Sequence, residues 1–82
     1  MLEEVVDMKS CFRTNICYLR KRNGLTQKEM ASILGVSVGT YRRIEQMEPA
    51  VRLHDKMIVR MARHFHYTAD ELVISDLSRK VH

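Results

Sequence analysis

The sequence predicts an all-α fold of five short helices packed around one small core. Thr26-Gln27-Lys28-Glu29 and Thr68-Ala69-Asp70-Glu71 are capping boxes: the Thr hydroxyl accepts from the backbone N–H three residues on, and the Glu carboxylate reaches back. Apolar residues recur at three- and four-residue spacing, the period of a helix half-sunk in a core, and no stretch carries a strand signal. The 82 residues are 45% apolar with only five aromatics and no Trp, which suits one aliphatic core with six Met filling gaps.

Taken in order, residues 1–8 mix acids with Leu2, Val5 and Val6 and hold no strong cap, so they form a lead-in, either frayed or an extra turn that docks on a partner. A first helix runs from Lys9, with Phe12, Ile16, Leu19 and Asn23 on one face and Asn23-Gly24 as its stop. Its other face shows Arg13, Arg20, Lys21 and Arg22, with Arg20 at the edge of the core. Leu25 packs under the next helix. The second helix starts at Thr26, buries Met30, Ala31 and Leu34, and closes at Gly35, which takes the left-handed conformation cheaply.

Val36 sits inside the turn and Ser37 caps a third helix over residues 38–45, in which Tyr41 and Ile44 share one face and Arg42 and Arg43 stand beside them. Two helices this short and this close must cross steeply, and alone they bury too little to offset their ordering entropy. They present one helix outward on a backing supplied by the remaining chain. That is the geometry of a helix-turn-helix that reads DNA.

Gln46-Met47-Glu48-Pro49 opens a loop over residues 46–52, because Pro49 would break a helix interior. A fourth helix over residues 53–65 places Leu53, Met57, Ile58, Met61, Ala62 and Phe65 on one face. Tyr67 staples a short fifth helix that starts at the second capping box and carries Leu72, Val73 and Leu77. Residues 9–77 therefore make one domain, followed by a tail at 78–82.

The formal charge of +4 understates the asymmetry. Residues 9–63 hold twelve Lys and Arg against four acids, a net +8, while the other six acids lie toward the two ends. Such a centre favours a polyanionic partner, because each phosphate contacted releases condensed counterions.

Other chemistries lack their residues. Cys11 and Cys17 are six apart, outside any CxxC or zinc spacing, and read as reduced thiols. His64 and His66 straddle Phe65 and point to different faces with no third ligand, so no metal or cofactor is implied. Ser10, Ser37, Ser75 and Ser78 have no His and acid at a recognisable spacing, which argues against an enzyme. No apolar run approaches a membrane span, and the acidic N-terminus is unlike a signal peptide, so the expected location is the cytoplasm.

With Leu25-Thr26-Gln27, Glu29, Ala31, Leu34-Gly35-Val36-Ser37, Thr40, Arg43-Ile44-Glu45, Ala62 and Asp70-Glu71-Leu72 in view, residues 10–74 resemble the phage repressor and Cro (XRE) family. The resemblance implies a five-helix, lambda-repressor-like DNA-binding domain that binds operator DNA as a homodimer and regulates transcription, most simply as a repressor. It places Gln27, with Lys28 beside it, against phosphate at the start of the second helix, where Gln27 can also touch a neighbouring base-reading side chain. Ser37, Val38, Gly39, Thr40, Arg42 and Arg43 line the outward side of the third helix, with Arg43 first in line to read guanine. Arg20 and Glu45 take positions where relatives form a partly buried, structural ion pair.

Two departures stand out. Val38-Gly39 replaces the polar base readers of relatives, shifting weight to shape and phosphate contacts. Glu48 stands where relatives carry Gly and a cation, which passes that phosphate contact to Arg52 or Lys56. A dimer is expected because one helix reads only a few base pairs, with its surface around Leu72, Val73 and Leu77, joined by Leu2, Val5 and Val6. The alternative function is a protein-interaction module, an antitoxin or adaptor on the same fold.

Overall fold

The computed structural model describes residues 8–77, so the lead-in with Leu2, Val5 and Val6 and the tail at 78–82 lie outside the described residues. Five helices follow in order among them: α1 (Met8–Arg22), α2 (Gln27–Leu34), α3 (Val38–Glu45), α4 (Asp55–Phe65) and α5 (Ala69–Val73). Both capping boxes form. Thr26 and Thr68 accept from Glu29 and Glu71 N–H, and both carboxylates return the bond to the cap N–H.

Helix ends follow one scheme in α1 to α4. A residue with positive φ closes each: Gly24 at 66°, Gly35 at 77°, Met47 at 60° and His66 at 62°. The next N–H then bonds back five residues, from Leu25 to Arg20, Val36 to Ala31, Glu48 to Arg43 and Tyr67 to Ala62. Glycine does this freely, whereas Met47 and His66 each carry roughly 1 kcal/mol of backbone strain.

α4 starts at Asp55, two residues later than the Leu53 expected. Leu53 does pack against the core, but from the loop before the helix, and His54 precedes the helix with an extended backbone and no side-chain cap bond. An apolar period cannot distinguish a helical residue from a loop residue that points inward. The connecting loop therefore runs over residues 46–54.

Phe12, Ile16 and Leu19 of α1 meet Met30, Ala31 and Leu34 of α2, Tyr41 and Ile44 of α3, and Met57 and Met61 of α4 in a single core. Three expectations are corrected there. Leu72 and Leu77, expected at a subunit surface, are 0% and 3% exposed inside the chain's own core, with Val73 half-buried. Asn15, fully buried in α1, holds them: its Nδ2 donates to the carbonyls of Leu72 (2.6 Å) and Ser75 (2.7 Å), and Leu77 N–H donates to its Oδ1 (3.0 Å). Arg13, expected outward with Arg20 to Arg22, is 4% exposed, because the loop after α3 folds over that side of α1. Its NH2 donates to the Val51 carbonyl at 3.1 Å and its NH1 has no partner among the described residues. Asn23, expected on the core face, is exposed and caps α1 by donating to the Leu19 carbonyl at 2.8 Å.

Candidate nucleic-acid interface

The second helix of the pair is fixed from below and open above. Tyr41 and Ile44 are wholly buried, and Ser37 anchors the start of α3 by accepting from Thr40 N–H at 3.1 Å while its hydroxyl donates to Thr40 Oγ1 at 3.1 Å. With that side tied down, Gly39, Arg42 and Arg43 are left exposed. Val38 and Thr40, expected to face outward, are half-buried, and Val38 packs against the core. At Gly39 an added Cβ would meet nothing nearer than Ser37 Oγ at 4.0 Å, so bare backbone forms the surface there.

A polar hub joins this helix to the two before it. Glu45 at the end of α3 accepts from Arg20 Nε (2.6 Å) and NH2 (3.2 Å), from Gln27 Nε2 (3.1 Å) and from the Tyr41 hydroxyl. Arg20 NH1 also donates to the Leu25 carbonyl at 3.1 Å, tying α1 to the start of α2. Burial pushes the Glu45 carboxyl upward, but bonds from Arg20, Tyr41 and Gln27 outweigh it and hold it below the ordinary range. The Glu45 hydrogen bond raises the Arg20 guanidinium, and burial followed by the bond to Glu45 pushes the Tyr41 phenol far up. At neutral pH the hub is an anion held by a cation and two neutral donors.

The hub reaches the surface through one amide. Gln27, with its Nε2 on Glu45, accepts from Arg42 Nε at 3.2 Å through its Oε1. Arg43 makes no side-chain hydrogen bond among the described residues. It lines a groove of about 280 Å³ between α3 and the following loop, together with Thr40, Glu48, Arg52 and His54. Lys28 is exposed in the first turn of α2. The predicted positions thus divide: Gln27, Arg42, Lys28 and Gly39 on the open side of α2 and α3, Arg43 and Arg52 in the groove, Ser37 exposed at the α3 cap, and Val38 and Thr40 half-buried. Sequence reasoning passed over Arg60, whose guanidinium lies against Gly35, and it had no signal for that contact.

Cys11 and Cys17 are free, half-buried thiols. Among the described residues no group of three metal-ligating side chains occurs, and no helix is long and apolar enough to cross a membrane.

A family model described as helix-turn-helix matches residues 18–72, from within α1 to α5. No curated protein and no solved structure matches the chain. The family is one of DNA-binding domains rather than of enzymes. With its capped pair α2 and α3 inside the matched span, the chain belongs to the XRE-type helix-turn-helix family, and that span is its DNA-binding domain.

Proposed function

We propose that the protein binds double-stranded DNA sequence-specifically, with α3 in the major groove, and regulates transcription as a repressor in the cytoplasm. One observation carries this reading: α3 is anchored by Tyr41 and Ile44 while Arg42 and Arg43 stay in water beside a side chain, Gln27, that orients one of them. Arg43 reads a guanine through O6 and N7, a contact that discriminates by about 1–3 kcal/mol. Arg42, held at Nε, keeps both terminal nitrogens for a second guanine or a phosphate. Gln27, Lys28 and the α2 N-terminus meet one strand's phosphates, and Arg52 meets the other's. Ser37, Val38, Gly39 and Thr40 allow close approach and apolar contact with a thymine methyl.

The protein works as a homodimer, since two half-sites about 34–36 Å apart multiply the few base pairs one helix can read. Repression needs only occupancy of a promoter. Selection of bound duplexes from a random pool, followed by a gel-shift titration against salt, tests the reading. A recurring half-site and an affinity that falls steeply with salt support it. No enrichment, or binding indifferent to salt, overturns it in favour of a protein-interaction module.

A further inference from the structure

We infer that the phosphate-binding surface continues past the α3 groove along α4, from Lys56, already expected to meet phosphate, to Arg60 as a further contact to the DNA backbone. This rests on the DNA-binding reading above and extends it to residues outside the helix-turn-helix pair. The groove that holds Arg43 and Arg52 opens into a second one of about 600 Å³ that holds Lys56 and Arg60, and Val36, His54 and Met57 line both. One continuous channel therefore leaves the recognition helix and follows α4. Its four permanent cations face two acids, Glu48 and Asp55.

Arg60 is exposed beside the turn between α2 and α3. A Cβ added at Gly35 would come within 3.0 Å of Arg60 Cζ and 3.1 Å of Nε, so the guanidinium lies close beside that turn. None of its N–H groups enters a hydrogen bond with the described residues. The side chain thus stands in water with its five donors free for an anion. Lys56 lies one helical turn earlier and is also exposed, so the two cations share a side of α4. An acidic polypeptide would satisfy the same charges. Continuity with Arg43 on the recognition helix favours the polymer that helix already meets, a phosphodiester strand.

The test uses the full chain with both positions changed, Lys56→Ala and Arg60→Ala, against the selected operator and an unrelated duplex. Affinity should fall by a similar factor on both, because phosphates carry no sequence. The slope of log affinity against log salt should become shallower by about 2, so between 50 and 200 mM salt the unaltered protein loses roughly tenfold more affinity than the variant. Arg60→Lys should recover most of the slope at that position. Thermal unfolding shows whether the double variant is folded, and charge reversal to Glu at both exposed positions provides a second, stronger change in the same direction. An unaltered slope in folded variants overturns the inference while leaving the DNA-binding reading intact. Failure of the unaltered protein to bind any duplex removes both.

Discussion

Gln27 accepts from Arg42 Nε at 3.2 Å and donates to Glu45 at 3.1 Å, so one amide links an exposed arginine of the recognition helix to the Arg20 and Glu45 ion pair beneath it. The link is cheap to break without unfolding the domain, because Glu45 keeps Arg20 and Tyr41. It is therefore a place where binding can be altered separately from stability.

Gln27→Ala should leave the melting temperature within a few degrees and lower operator affinity by up to about tenfold, the worth of one lost hydrogen bond and a freed arginine. Gel shifts on selected operator check it. Arg43→Ala should act differently, relaxing preference at one base pair by roughly 1–3 kcal/mol while non-specific affinity falls less. Equal losses on all sequences would make Arg43 a phosphate contact.

Asn15 satisfies two carbonyls and one N–H of the segment after α4, all from one buried amide. Asn15→Ala strands those groups, at about 1–3 kcal/mol each, and should lower unfolding stability by roughly 3 kcal/mol or more in urea. Asn15→Asp should be worse, since it places a carboxylate against two carbonyl oxygens. Amide exchange in α5 should accelerate before exchange in α2 or α3 does.

Met47 ends α3 with φ of 60° and leaves its side chain 43% exposed. Met47→Gly removes the left-handed strain and should stabilise the domain by about 1 kcal/mol, read as a rise in thermal midpoint. The same change at Gly24 or Gly35 in reverse, to Ala, should destabilise, and at Gly35 it should also displace Arg60.

The Glu45 carboxyl is depressed below the ordinary glutamate value of 4.5 by its three donors acting against burial. In the unfolded chain it titrates near that ordinary value. Its contribution to stability is thus complete above about pH 4.5 and is lost as pH falls through the lower folded value. Glu29, held down by the Thr26 N–H and hydroxyl, acts with the same sign. A plot of unfolding free energy against pH should fall on its acid limb, and Glu45→Gln should flatten that limb while lowering stability at pH 7.

The helix-turn-helix was legible because its signals are local. Thr26 with Glu29, Ser37 with Thr40, Thr68 with Glu71, and the glycines at 24 and 35 each act within a few residues, and each forms as its chemistry dictates. The contact of Arg20 with Glu45 spans 25 residues, and resemblance to relatives suggested it where spacing did not. The start of α4 is not legible in this way, because Leu53 keeps the helix's apolar period while it stands in the loop before the helix.

Chain chemistry over short spans decides where helices begin and end, and which side of each is apolar enough to bury. It does not decide what lands on the other side. Arg13 became buried because a loop nearly forty residues later crosses it, and Leu72 and Leu77 turned inward because Asn15, 57 and 62 residues earlier, offers the hydrogen bonds their backbone needs. Those outcomes depend on which distant surfaces meet, a property of the packed chain that no window of neighbouring residues contains.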